Sequence, residues 1–299
     1  MDFKAPVESY AASVREVTLG AGDKAVKIGG ETKLAYGFFD EGDIPNPPKL
    51  ALEVMDTAPE GWAEHFLEPY RDVLSDPVAW ARKALDYGAD LICLRLISTD
   101  PAGKNASAES AAETVKKVAD AIPVPLIVYG VGDETKDAEV LPKVAAVCSG
   151  MNLLIGPVIK EDYEPIAAAA LEHGHCLVAQ SPLDINIMKE LNIKLSKTFP
   201  LERIVIDPLS AALGYGMEYS FTLMERTKLT GVAFKDTMTQ MPLIGDLGSE
   251  CAKTKEAKTN REQGILWEGM TAISLLLAGA NIVILRHPDS VKNVREILG

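Results

Sequence analysis

The chain has 299 residues, 47% of them hydrophobic and 24% charged, enough apolar mass for a large packed core. A formal net charge of -13 and no basic stripe argue against nucleic acid, whose binding rests on clustered Lys and Arg. No apolar run reaches the roughly 20 residues that span a bilayer, the opening "MDFKAPVESYAAS" lacks a secretory pattern, and the four cysteines form no Cys-x-x-Cys pair; a reduced, cytoplasmic protein with no membrane contact is expected.

Residues 1–48 are read as an N-terminal extension. "REVTLG" (15–20), "AVKIGG" (25–30) and "KLAYGFF" (33–39) suggest two or three short antiparallel strands, forming a hairpin plug over one end of the larger C-terminal domain.

From residue 49 to 299 two patterns alternate. Apolar, strand-like runs occupy 49–56, 90–96, 125–130, 152–156, 176–180, 203–207, 241–245 and 281–286. They are nearly continuous in apolar residues, as parallel strands buried on both faces are. Helix-like stretches lie at 77–87, 107–121, 137–149, 161–174, 184–197, 216–230, 261–278 and 288–298. Gly88 and Gly279 stand where a helix ends in a left-handed cap. Eight β-then-α units over about 250 residues predict an α/β fold of the (β/α)8 TIM barrel type. An open doubly wound sheet is the weaker option, since no G-x-G-x-x-G follows the first strand.

In such a barrel the C-terminal strand ends carry the ligand site. Asp56, Asp133, Asp184, Asp207 and Asp246 fall there, joined by Arg95, Gln180, Asn186, Arg286 and His287. Asp184 also suits a helix N-cap, and Asp207 could serve as acid or base, ligand contact, or holder of its own loop. In "GYGMEYS", Gly214 and Gly216 allow positive φ or close approach. Tyr215 and Tyr219, four apart, could line one side of a cavity. Metal binding is not expected: "EHGHC" puts His173 and His175 two apart, at the wrong barrel end. No G-x-S-x-G elbow marks a nucleophile, and Ser181 has no histidine nearby in sequence.

Five stretches closely resemble the small (delta) subunit of the corrinoid iron–sulfur protein of the CO dehydrogenase/acetyl-CoA synthase system. They are "EGDIPNPPKLALEVMD" (41–56), "GADLICLRL" (88–96) with its following "DP", "SPLDINIMKELN" (181–192), "IVIDPLSAALGYGMEYSFTLMER" (204–226) and "EQGILWEGMTAISLLLAGANIVILRHP" (262–288). The resemblance spans nearly the whole chain. It implies a TIM barrel paired one-to-one with a large subunit that carries a [4Fe–4S] cluster and a corrinoid-binding domain. The corrinoid (cobamide) is then sandwiched between the two chains. Its cobalt takes a methyl group from methyltetrahydrofolate on a separate methyltransferase and delivers it to acetyl-CoA synthase in the anaerobic acetyl-CoA (Wood–Ljungdahl) pathway. The chain would need no iron–sulfur cluster, no metal ligand and no catalytic residue of its own; it has no D-x-H-x-x-G that would donate a histidine to cobalt. The family motif matches at Ser181, Asp184, Asn186, Asp207, Gly214, Tyr215, Gly216 and Tyr219, and these are the residues expected on the corrinoid-facing rim. Arg95 joins them by its strand-end position. The chain ends at "NVREILG", sooner than the family pattern, which leaves any tail contact in doubt. Two other functions stand beside this one: a pterin-dependent methyltransferase barrel in which Asp207 and Asn186 hold a pterin edge, and a purely structural partner whose rim carboxylates are caps.

Overall fold

A computed structural model describes residues 7–34 and 41–298. Eight parallel strands form the barrel: β3 (Lys49–Met55), β4 (Leu91–Arg95), β5 (Leu126–Tyr129), β6 (Leu154–Val158), β7 (Cys176–Gln180), β8 (Ile204–Asp207), β9 (Ile244–Asp246) and β10 (Ile282–Leu285). Two short antiparallel strands, β1 (Val17–Leu19) and β2 (Val26–Ile28), precede them. The sheet runs β8-β7-β6-β5-β4-β3-β10-β9, and a single parallel bridge, Ile206 to Leu243, closes the ring. At that seam the Ile206 amide donates to the Pro242 carbonyl at 2.8 Å. The third strand suggested within 33–39 lies largely outside the described residues.

Because side chains alternate across a strand, each run feeds two cores. Leu50, Leu52 and Val54 of β3 point outward and pack under helices with Ile92, Leu94, Val128 and Leu285. Ala51, Leu91, Ile127, Leu154, Val178, Val205 and Ile284 point inward and fill the barrel. Val17, Leu19 and Ile28 of the hairpin belong to that inner cluster and are fully buried. The hairpin sits at the N-terminal end of the strands. There the Asn152 amide donates to the carbonyls of Thr18 (2.8 Å) and Gly20 (3.0 Å), just before β6 begins. A buried ion network holds the segment after the hairpin: Lys228 pairs with Glu31, and Asn281 joins both.

The helices follow the sequence signals closely. In Ala108–Ala121 the Ser107 hydroxyl caps the Ser110 amide, and Ala108, Ala111, Ala112, Val115 and Val118 form the buried stripe. Gly88 and Gly279 have φ of 90° and 106°, the left-handed conformation that ends a helix. Two strand positions differ from the sequence reading. β6 continues to Val158 instead of stopping at 156, because the register shifts between Ile155 and Val158 and leaves Pro157, which has no donor, outside the ladder. β9 begins at Ile244, since residues 241–243 lie at the seam and pair through one bridge alone. The loop 246–260 contains two short helices, Gly248–Lys253 and Lys255–Thr259.

Candidate functional site at the barrel mouth

The C-terminal half of the barrel interior is charged. Glu53, in the middle of β3, is fully buried and meets two arginines: Arg95 Nε donates to it at 2.7 Å, and Arg286 donates to its other oxygen. Arg95 also pairs with Asp246, while the Arg286 guanidinium lies 3.7 Å from the centroid of the Trp62 ring. Burial would raise the Glu53 carboxyl, but Arg286 and Arg95 overcome it and hold the group below the usual carboxylate value. Arg95 is thus committed to two internal carboxylates, with its side chain 12% exposed toward the mouth. The charged residue within "KLALEVMD" was the signal for this network, since a carboxylate in an inward-facing strand position needs counter-charges.

Asp207 closes β8 and is fully buried. One carboxyl oxygen accepts from the Leu209 amide and the other from the Gln180 side-chain amide, both at 2.9 Å. Burial pushes its pKa up to about 7; the Gln180 hydrogen bond opposes this, and nearby Asp246 adds to it. Asp184 caps the helix Ile185–Leu195, accepting from the Asn186 amide at 2.7 Å and the Ile187 amide at 3.3 Å. Asn186 is exposed in that first turn. Asp133 is likewise an N-cap, for Glu134–Val147. Asp56 accepts from the Ser98 amide at 2.8 Å, and burial raises its carboxyl above the usual value.

The loop after β8 turns through Leu209 (φ 61°), Gly214 (φ 77°) and Gly216 (φ 105°) into the helix Met217–Lys228. The helix Arg261–Leu277 anchors it: Trp267 Nε1 donates to the Leu213 carbonyl at 2.8 Å, and the Leu213 amide donates to Thr271 Oγ1 at 3.2 Å. Tyr215 and Tyr219 diverge. The Tyr215 hydroxyl donates to Glu256 at 2.9 Å and accepts from the Lys255 amide at 3.1 Å. Tyr219 instead lines a hollow of about 420 Å³ with Leu183, Asp184, Asn186, Glu218 and Arg226. Both rings are more than half exposed, and Leu183, which shares the hollow with Tyr219, and Leu209, in the loop after β8, are about two-fifths exposed. Ser181 is buried next to this wall, and its hydroxyl has no hydrogen-bond partner among the described residues.

His175 is held inside the fold. His175 accepts from the Leu153 amide at 3.1 Å and faces the Ala145 carbonyl at 2.9 Å; burial lowers its pKa to about 4. Among the described residues no group of three or more His, Cys, Asp or Glu could hold a metal ion, and no helix is long and apolar enough to cross a membrane.

Residues 16–297 match the family model described as CO dehydrogenase/acetyl-CoA synthase delta subunit. The acetyl-CoA decarbonylase/synthase complex subunit delta of Methanopyrus kandleri is 38% identical over 288 residues, 93% of this chain and 71% of that one. Its counterpart from Methanothermobacter thermautotrophicus is 37% identical over 313 residues, 99% of this chain and 78% of that one. Among solved structures, dihydropteroate synthase from Xanthomonas albilineans superposes with a TM-score of 0.62 at 14% identity, covering 94% of this chain and 96% of that one, which shows the shared barrel fold. The chain therefore belongs to the CO dehydrogenase/acetyl-CoA synthase delta subunit family.

Proposed function

We propose that this chain is the small barrel subunit of a two-subunit corrinoid methyl carrier working within the CO dehydrogenase/acetyl-CoA synthase complex. A larger partner holds the corrinoid and a [4Fe–4S] cluster, and the mouth of this barrel covers one face of the ring. The methyl group comes from methyltetrahydrofolate through a separate methyltransferase and passes on to acetyl-CoA synthase.

The observation that carries this reading is the wall at the mouth. Tyr219, 65% exposed, and Leu183, 42% exposed, line one rim hollow with Asp184 and Asn186, while Tyr215 (52%) and Leu209 (39%) are exposed in the loop after β8. Large apolar side chains left exposed around a rim hollow want a partner. A corrin ring offers a flat apolar face fringed by amide arms, and the unpartnered Ser181 hydroxyl with the exposed Asn186 side chain suits such a fringe. When bound, the cobalt supplies the nucleophile and the methyl carrier. The residues of this chain bind the ring, orient it and keep water from it. Gly214 and Gly216 shape the loop, Asp184 caps the rim helix, Asp207 holds the loop from below, and Arg95 braces the interior.

A barrel holding a pterin edge between Asp207 and Asn186 would need both at one surface. Asp207 is 0% exposed whereas Asn186 is exposed on the rim, so the corrinoid-covering role is preferred.

Co-expression of the full chain with its larger partner tests this. The purified complex is expected to show corrin absorption bands. Tyr219→Ala should reduce corrinoid retention by about tenfold, a hot-spot loss at a desolvated interface, with stability changed by less than about 0.5 kcal/mol. A stable complex without corrin bands would sink the proposal.

A further inference from the structure

Beside the end of β7 the mouth opens into a second hollow of about 380 Å³. Ile159, Pro182, Ile187, Leu191 and Leu209 wall it, with Gln180 and Ser181 supplying its polar groups. Leu209 lines this hollow and is itself 39% exposed in the loop after β8, and Pro182 of this hollow is followed in the chain by Leu183 of the hollow that Tyr219 lines.

Ser181 is 1% exposed, and its hydroxyl has no partner among the described residues. Buried hydroxyls are rarely left in that state, and Ser181 is among the residues that line a cavity large enough for a ligand group. The nearby charges are already engaged. Lys160, at the edge, pairs with Glu190 at 2.8 Å, and the Gln180 amide donates to Asp207. Glu161 adds a negative charge at the edge.

Resting on the corrinoid reading, we infer that this hollow takes one amide-tipped arm from the periphery of the corrin ring. The methylenes of the arm lie against the isoleucine and leucine walls. Its terminal carboxamide, which both donates and accepts, meets the Ser181 hydroxyl, which does the same. A carboxylate arm is rejected: it would lose water against the apolar walls near Glu161, with the lining Lys160 already paired to Glu190. The hollow therefore selects a corrin by the chemistry of one arm, apart from the contact made by Tyr219.

The test uses the two-subunit complex freed of corrinoid and titrated with dicyanocobinamide, or with a dicyano-corrin whose amide arms are hydrolysed to carboxylates. Wild type should prefer the amide corrin by about tenfold, the weight of a hydrogen bond plus the rejected charge. Ser181→Ala, which removes an unpartnered hydroxyl, should narrow that preference to roughly threefold. Ile187→Trp, at a position 36% exposed, should fill the hollow and weaken the amide corrin alone. If both variants bind both corrins as wild type does, the arm lies elsewhere and this inference is overturned, while the corrinoid reading stands. If the wild-type complex binds neither corrin, both fall.

Discussion

Asp207 has both carboxyl oxygens occupied, by Leu209 and Gln180, and no exposed surface. That geometry makes it the holder of its own loop, the plainest of the roles its strand-end position allowed. Its pKa is raised by burial from 3.8 to about 7, so the native chain keeps this proton longer than the unfolded chain does. The stabilisation is fully present below pH 3.8 and is lost as pH rises to about 7. His175 works in the opposite direction: its pKa falls from 6.5 to about 4, so stability is lost as pH drops below 6.5. Asp207→Asn separates the two. The amide keeps an acceptor for Leu209 and lets Gln180 turn its own amide to accept. Urea unfolding should find the variant more stable than wild type by on the order of 2 kcal/mol at pH 8, and close to it at pH 4.5. An equal difference at both values would show that Asp207 keeps the same charge throughout. At this scale the sequence marks the rim residues by their place after strands. It does not reveal that Arg95 turns inward to Glu53 and Asp246, because that pairing joins residues 42 and 151 positions apart.

The rim loop after β8 is held from outside by the helix Arg261–Leu277, through Trp267 and Thr271. Thr271→Val keeps the shape of the side chain and removes the acceptor for the Leu213 amide. Global stability should fall by about 1 kcal/mol. Amide exchange at Leu213 should quicken by about tenfold, read by hydrogen–deuterium exchange. Unchanged exchange there would mean that the internal turn, where the Tyr215 amide donates to the Ala212 carbonyl at 2.9 Å, fixes the loop alone. Elements of this kind explain how much of the fold was legible. Buried parallel strands are nearly unbroken apolar runs, so all eight barrel strands could be read in order from residue 49 onward. Asp184 then sets its helix start to within a residue, whereas the helix that Asp133 caps begins at Glu134, three residues before the 137 read from the sequence. What escaped was set by neighbours in space. β6 runs past Gly156–Pro157 because a register shift absorbs the proline, and β9 starts late because it borders the closing seam. The divergence of Tyr215 from Tyr219 depends on Glu256 and Lys255, some 40 residues further on, which a spacing of four cannot foresee.

At the scale of the molecule, the hairpin seals the N-terminal end of the barrel, opposite the mouth. The hairpin places Val17, Leu19 and Ile28, all fully buried, in the cluster that fills the barrel interior. A two-stranded hairpin is marginal in water by itself, so it owes its order to the barrel. The barrel in turn would expose Ile127, Leu154 and Ile282 without it. The two should therefore unfold together. Leu19→Ala removes a buried side chain from this shared core, and should cost about 2–5 kcal/mol. The three tryptophans report that loss from elsewhere in the barrel: Trp62 stacks on Arg286, Trp80 packs edge-on against Trp62, and Trp267 bonds the rim loop. In a urea titration of Leu19→Ala, tryptophan fluorescence and far-ultraviolet circular dichroism should shift to one lower midpoint with an unchanged slope. A hairpin that were only a loose cover would behave otherwise. Its amides would exchange freely while the tryptophan transition stayed at the wild-type midpoint, and the barrel would then have to be stable with an open floor.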